Sequence, residues 1–531
     1  MPTLEWIGKD KVINHHLDVP YRVLERKYSF DENGQHEEDN GSENMIIHGD
    51  NLDALKSLLP QFEGRIKCIY IDPPYNTGNE GWIYNDNVND PKIQKWLGEV
   101  VGKEGEDLSR HDKWLCMMYP RIKLLNRLLS KDGAIFISID ATELASLKMI
   151  CDEIFGSRNF VDFISWFKKA SPSNDAHYFS NDIEYIMVYA KNKEVWQPHR
   201  LPLTEKQLQY YKNPDNDPRG PWNSATYTCN KSKEQRPSLY YPIQNPNTHE
   251  LVWPSETAVW AYSKEQYEEH ANNNLLYWGV DGKAKMPRFK KLLSGHQGVV
   301  NRTLWHYDDV NHTQGASIEI KKYDIQGFDT PKPSKLIERI IRIASDSDSI
   351  ILDSFAGSGT TAHAVMKMNK ETGGNRKFIL IEMMDYADSI TAERVKRVIS
   401  GYGEGKKSVE GTGGAFSFFE LGDHLLTSDG NINEDVDVKD LREYIWYMET
   451  HAPLQTIDAP DSFYLGTNDN TAYYFCYKKD GIVTLDMDLL ATVTVKAESY
   501  VIYADQCGLS GEELKHFGIT FRKIPRDIAK L

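Results

Sequence analysis

Cysteine is scarce in this chain. Its 531 residues hold six, Cys68, Cys116, Cys151, Cys229, Cys476 and Cys507, and no two form a C-x-x-C pair. That excludes a disulfide framework or a zinc site of ordinary spacing and points to a reducing cytoplasm. Long apolar runs are missing too. No stretch reaches the roughly 18 apolar residues that a bilayer demands, and the opening MPTLEWIGKDK lacks the apolar core of a secretory signal. Internal repeats and low-complexity tracts are absent. Basic charge is in deficit: 62 Lys+Arg face 78 Asp+Glu, a net charge of -16. Taken whole, that argues against a polyanion partner. The deficit is uneven, however. Between Lys191 and Thr330, 18 Lys+Arg face 16 Asp+Glu, a balance of +2, which leaves -18 for the rest. From His424 onward the balance is -8. Only the middle segment escapes the acidic excess, and nucleic-acid affinity depends on local phosphate contacts rather than the global sum.

What is present is a large amphipathic chain, 40% hydrophobic and 11% aromatic, with mean hydropathy -0.57. It is long enough for about three to four domains. Residues 1–44 read as a short element and a mobile, acidic linker. Strand and helix patterns then alternate. Met45–Asp50, Lys67–Asp72, Gly133–Asp140, Phe160–Phe167 and Asp182–Lys191 read as strands. Leu52–Leu59 and His111–Ser130 read as helices, the second broken near Pro120. From about Asn192 to Gln326 the alternation stops, and Asn, Pro and aromatics such as Trp222, Trp253 and Trp260 take over. It resumes with a helix over Pro333–Ser345, a strand over Asp348–Asp353, a helix over Thr361–Lys370 and a strand over Lys377–Met383. Such alternation predicts a mostly parallel sheet covered on both faces. The tail after His424 reads as a small α+β domain.

Two stretches carry chemistry. The first is ILDSFAGSGTTA, with Gly357 and Gly359 between a strand and a helix. Glycines there let the backbone approach a ligand, and the helix N-terminus supplies N–H donors. Glu382, 23 residues after Gly359, ends the next strand, where an acid accepts hydrogen bonds from ribose hydroxyls. These features predict an adenosine-containing cofactor. They also fit the dinucleotide pattern G-x-G-x-x-A, so an NAD enzyme stays open.

The second is CIYIDPPYNTGNEGWIYND, Cys68–Asp86, in which a strand ends in Asp72, Pro73, Pro74 and Tyr75. Paired prolines bar helix and ladder and hold the chain stiff. A rigid turn capped by an aspartate is the plain reading. The chemical reading concerns an exocyclic amino group on a nucleobase, whose lone pair is delocalised into the ring. Asp72 and the Pro73 carbonyl accept its two N–H bonds, and the carboxylate stabilises positive charge developing on nitrogen. Tyr75 offers a face for a base that has left its helix. An NAD enzyme has no use for this group.

At these residues the sequence resembles the β-class amino-methyltransferases of DNA, most closely the modification subunits of Type III restriction–modification systems. The resemblance rests on IIHGDNLDAL (Ile46–Leu55), YIDPPYNTG (Tyr70–Gly78), YNDN (Tyr84–Asn87), DGAIFISID (Asp132–Asp140), EYIMVYAKN (Glu184–Asn192), FDTPKPSKLI (Phe328–Ile337) and LDSFAGSGTTAHAV (Leu352–Val365), in that order. It runs from about Leu4 to Ser417. It implies a Rossmann-like α/β sheet, circularly permuted, in which Ile350–Asp353 and Phe378–Glu382 are the first two strands and Ile46–Asp50 and Cys68–Asp72 the third and fourth. It implies S-adenosylmethionine as cofactor, held by Asp50, Asp72, Phe328, Lys332, Pro333, Asp353, Phe355, Ala356, Gly357, Gly359, Thr360 and Glu382. It implies catalysis by Asp72, Pro73, Pro74 and Tyr75, without metal, on the N6 amino group of adenine, because relatives with Asp at the first catalytic position mostly modify adenine. The implied partners are double-stranded DNA, a second copy of the chain and a restriction/helicase subunit, in the cytoplasm and away from membranes. The implied domains are an N-terminal segment (1–44), a catalytic half (45–192), a target recognition domain (193–327), a cofactor-binding half (328–423) and a C-terminal domain for dimerisation or partner binding (424–531). The rivals are an N4-cytosine methyltransferase, a non-catalytic recognition subunit with the same fold, and an RNA or protein-glutamine methyltransferase.

Overall fold

The computed structural model describes residues 3–77, 110–172, 177–403, 408–455 and 463–526, with Lys95 and Glu99 besides. Gly78, the Tyr84–Asn87 motif and the rest of the Cys68–Asp86 stretch beyond Thr77 lie outside the described residues. The chain divides into two compact units, Met1–His199 with Arg302–Leu531, and Arg200–Asn301.

An eleven-stranded sheet organises the first unit. Its strands in chain order are β1 (Arg22–Asp31), β2 (Gly34–His36), β3 (Met45–His48), β4 (Ile66–Ile71), β5 (Leu129–Ile139), β6 (Phe160–Phe167), β7 (Ile183–Ala190), β8 (Leu304–Trp305), β9 (Ile350–Asp353), β10 (Lys377–Glu382) and β11 (Phe416–His424). They stand side by side as β8-β6-β7-β5-β4-β9-β10-β3-β11-β1-β2. The central run from β5 through β11 is parallel, and β7 is antiparallel to β5 and β6. The permutation expected from the sequence is present: β9 and β10, late in the chain, lie between β4 and β3.

These strands are nearly continuous apolar runs because both faces are covered. Alternation assigns the faces. Ile69, Ile71, Leu352, Ile379 and Ile381 join one core with residues of helices α1 (Asn51–Phe62) and α2 (Arg110–Leu128). Their buried neighbours Ile351, Phe378 and Leu380 point to the other face. There helices α3 (Ser334–Ala344) and α4 (Thr360–Thr372) pack together. The chain runs outward from the β9–β4 junction in both directions. Sheets of this kind bind ligands at the carboxyl ends of strands flanking such a switch point. Asp353 ends β9 and Asp72 follows β4, and register pairs Leu352 with Ile69.

Two expectations are corrected. Helix α2 is unbroken: Pro120 lies inside it and is buried. Where proline weakens the ladder, the Arg121 guanidinium donates to the Met117 carbonyl at 2.8 Å. Residues 22–36, expected in an element-plus-linker segment, form a hairpin at the sheet edge. Tyr28 stacks on Phe418 at 5.1 Å, and Gly34 turns the chain at φ 111°. The second compact unit, Arg200–Asn301, is shorter than the segment 193–327. Leu304–Trp305 returns to the main sheet as β8 beside β6, so the chain from Arg302 belongs to the first unit.

The second unit carries a three-stranded antiparallel sheet of Leu276–Tyr277, Arg288–Leu292 and Trp222–Thr226. Its aromatics are mainly core: Tyr227, Tyr241, Trp260 and Trp278 are buried together. Tyr210 and Trp253 are exposed. In the tail, helix α5 (Val438–Thr450) covers a four-stranded sheet. Tyr447 of α5 joins the main core, so this region is part of the first unit. Among the described residues, no helix is long and apolar enough to cross a membrane.

Candidate active site

The turn after β9 is built for tightness. Gly357 and Gly359 adopt φ of 52° and 75°, the left-handed region that side chains disfavour. A Cβ on Gly359 would lie 2.9 Å from the Thr391 carbonyl. Glu382, at the end of β10, holds the turn: its carboxylate accepts the Gly357 N–H at 2.8 Å and the Met384 N–H at 3.0 Å. Asp353 is 3% exposed and accepts the Thr361 hydroxyl at 2.6 Å and the Phe355 N–H at 3.1 Å. Burial pushes its carboxyl up to about 7, against these hydrogen bonds. Thr360 ties the turn to the segment before α3 by donating to the Lys332 carbonyl at 3.2 Å.

Two cavities meet at Asp72. A narrow cleft of about 20 Å³ is lined by Asp353, Phe355, Gly357, Phe328, Asp72 and Lys332. A wider cavity of about 350 Å³ is lined by Asp72, Pro73, Tyr75, Lys168, Glu184 and Lys332. Asp72 and Lys332 therefore face both spaces.

Around Asp72 lies a hydrogen-bonded charge cluster. The Lys332 ammonium donates to Asp72 Oδ1 at 2.8 Å and Oδ2 at 2.7 Å, to the Tyr75 hydroxyl at 2.9 Å, and stands 3.1 Å from Glu184 Oε1. The Tyr75 hydroxyl is 2.7 Å from Asp72 Oδ1 and 2.6 Å from Glu184 Oε1. Lys168 is 3.7 Å from Glu184. Burial raises the Asp72 carboxyl above the usual range; Lys332 opposes the rise and Glu184 adds to it. Burial works against the Lys332 charge, but Asp72 and Glu184 outweigh it and hold the ammonium above the ordinary lysine range. Burial, followed by Asp72, keeps Tyr75 protonated.

The structure brings most of the sequence-predicted residues to these cavities. Asp72, Phe328, Lys332, Asp353, Phe355, Ala356, Gly357 and Thr360 line the cleft, and Pro73 and Tyr75 line the wider cavity. Gly359 and Glu382 stand behind the turn as its supports. Three residues are placed elsewhere. The Asp50 carboxylate caps α1, accepting the Leu52 N–H at 2.8 Å, and meets Arg121 at 3.2 Å. Pro333 caps α3, and Pro331 lines the cleft in its stead. The Pro74 carbonyl accepts the Trp114 indole N–H at 2.6 Å, which fixes the loop from behind. Sequence reading missed Glu184 as a site residue, although a buried acid in the apolar strand IEYIMVYA was a signal. It also missed Glu143, fully buried, which accepts from Asn76 and meets His111 Nδ1 at 2.6 Å. Asn76 at φ 60° turns the chain just past Tyr75.

Comparison with known proteins agrees with this geometry. The N6_N4_Mtase family profile, described as DNA methylase, matches residues 66–393. The Type III restriction-modification enzyme StyLTI Mod subunit of Salmonella typhimurium is 37% identical over 396 residues, 68% of this chain and 58% of that protein. The EcoPI Mod subunit of Escherichia phage P1 is 31% identical over 416 residues, 72% of this chain and 63% of that protein. The Type II methyltransferase M.KpnI of Klebsiella pneumoniae is 32% identical over 363 residues, 64% of this chain and 80% of that protein. The chain thus spans about three fifths of the length of these two Mod subunits. A DNA methylase profile over residues 66–393 takes in both the Asp-Pro-Pro-Tyr loop and the glycine turn, and this chain belongs to that DNA methylase family.

Proposed function

We propose that the chain transfers a methyl group from S-adenosylmethionine to the exocyclic N6 amino group of adenine in a specific DNA sequence, as the modification subunit of a restriction–modification system. One observation carries the reading: Asp72 stands where the glycine-turn cleft and the wider cavity meet. A cofactor in the first and a base in the second would face each other across one carboxylate.

The donor set fits this cofactor and not a dinucleotide. Asp72 and Asp353 line the cleft, and Glu382 takes the Gly357 N–H that a pyrophosphate would need. A diphosphate would be repelled; a cationic ligand is favoured. When bound, S-adenosylmethionine supplies a methyl group activated by its positive sulfur. Phe355, Phe328 and Gly357 would bound it, Asp353 would meet its cationic end, and Glu382 would keep the turn in shape. Asp72 accepts N–H bonds from the substrate amino group and stabilises the charge that grows on nitrogen. Lys168 and Lys169 on the wall of the wider cavity suit the phosphates beside an extruded base. Residues 193–327 supply target recognition in this reading, with the second compact unit as its body. The relatives' names, Mod subunits of restriction-modification enzymes, support a restriction partner; double-stranded DNA, a second copy of the chain and the cytoplasm complete the proposal. Six free cysteines are consistent with that compartment.

Sequencing a host genome by a method that reads modified bases, with this gene present and deleted, tests the proposal. The expected result is one DNA motif whose adenine modification vanishes with the gene. Modified cytosine in that motif would move the reading to the N4-cytosine alternative, and no gene-dependent base at all would favour a non-catalytic recognition subunit.

A further inference from the structure

Glu184 is 4% exposed in a strand otherwise made of apolar and aromatic residues. A carboxylate in such a place is costly unless it is paired. Its partners are the groups that also hold Asp72: Lys332 at 3.1 Å and Tyr75 at 2.6 Å. This arrangement bears on the proposed reaction. Both oxygens of Asp72 are engaged by the Lys332 ammonium, and Tyr75 bonds one of them. A substrate amino group needs acceptor positions on the same two oxygens, and three of their roughly four are already taken. Room for both N–H bonds of the amino group opens when Lys332 draws back from Asp72, and drawing a largely buried ammonium away from every anion would be strongly unfavourable.

The second carboxylate removes that obstacle. Glu184 Oε1 is only slightly farther from the ammonium than Asp72 is, so a small rotation of Lys332 exchanges one ion pair for another. The Tyr75 proton has the same choice, because the hydroxyl lies almost equally near both carboxylates. Lys168, at 3.7 Å from Glu184 Oε2, offsets the charge on the receiving side.

We propose that Glu184 is a positioning residue, the carboxylate that receives the Lys332 ammonium and the Tyr75 proton when a substrate amino group replaces them on Asp72. Lys332 is then a placeholder cation that keeps Asp72 ionised and oriented until the base arrives. This inference rests on the methyl-transfer reading, yet its central claim, that either carboxylate can hold Lys332, concerns the free protein.

The test has two arms. In the first, thermal unfolding is measured for Asp72→Asn, Glu184→Gln and the double variant, with no substrate. Either single change leaves Lys332 one carboxylate; the double change leaves none. The drop in Tm of the double variant should exceed the sum of the single drops by at least about 2 °C. Additive drops would overturn the proposal, whatever the chain's activity. In the second arm, single-turnover methyl transfer to DNA is followed at saturating cofactor. Glu184→Gln should lose about tenfold or more with cofactor affinity unchanged, and Glu184→Asp, which keeps the charge, should recover most of the rate. Transfer by Glu184→Gln at the parent rate, or equal loss in Glu184→Asp, would overturn it. Absence of methyl transfer in the parent chain would instead count against the methyltransferase reading, and the unfolding arm would still decide whether Lys332 is shared.

Discussion

At the scale of single residues, Asp72 is where charge is balanced. In the proposed reaction its carboxylate stabilises charge that appears on nitrogen, so its removal should act on turnover more than on binding. Asp72→Ala should lose methyl transfer by about a thousandfold, far more than it loses in affinity for S-adenosylmethionine; single-turnover assays with labelled cofactor read this out. Asp353 gives a pH signature. Burial pushes its carboxyl up to about 7, and a cationic ligand prefers the ionised form. Above pH 7 the carboxylate is already charged and affinity is flat. Below pH 7 the free protein holds a proton that binding must expel, so affinity falls about tenfold per pH unit. Calorimetry between pH 5.5 and 8.5 should show that slope in the parent and lose it in Asp353→Asn; an equal slope in both would remove Asp353 from the site. Asp72, Gly357 and Glu382 were legible because their signals are local, an acid or glycine at a fixed place beside a strand. Glu184 was not, because its role exists only where chain segments 109 positions apart meet at Tyr75. The Lys332 pairing spans 260 positions, beyond the reach of any local signal.

At the scale of elements, the glycine turn works because strand, turn and helix hold one another. Glu382 from β10 grips Gly357 through its N–H, while the Thr391 hydroxyl donates to the Gly357 carbonyl at 2.5 Å. Gly357→Val puts a branched side chain at a φ of 52°, which such residues rarely adopt. Cofactor affinity should fall at least about tenfold, roughly 1.4 kcal/mol, and a folded variant that binds as the parent does would contradict the assignment. The strands of this core were readable as apolar runs because both faces are buried. The elements that defied local reading were those ruled by tertiary packing. Helix α2 carries Pro120 because Trp114, Leu115, Met118 and Ile122 are buried around it. The segment at residues 22–31 becomes a strand because β11 offers it a partner. Neither circumstance is written in the local sequence.

At the scale of the whole molecule, the proposal assigns chemistry and target choice to different parts of the chain. The strands that place Asp72, Asp353 and Glu382 belong to the first compact unit, while Arg200–Asn301 has its own aromatic core. Replacing residues 200–301 with the corresponding segment of a relative should change the methylated DNA sequence and leave cofactor affinity as it was; an unchanged sequence would place recognition elsewhere in the chain. The central claim is that Asp72 presents the amino group of a DNA adenine to a methyl donor. The most direct measurement incubates the purified chain with DNA and methyl-labelled S-adenosylmethionine, digests the DNA to nucleosides and locates the label. The account predicts label in N6-methyladenine, lost in Asp72→Ala. Label in N4-methylcytosine, or label in DNA that persists undiminished in Asp72→Ala, would contradict it.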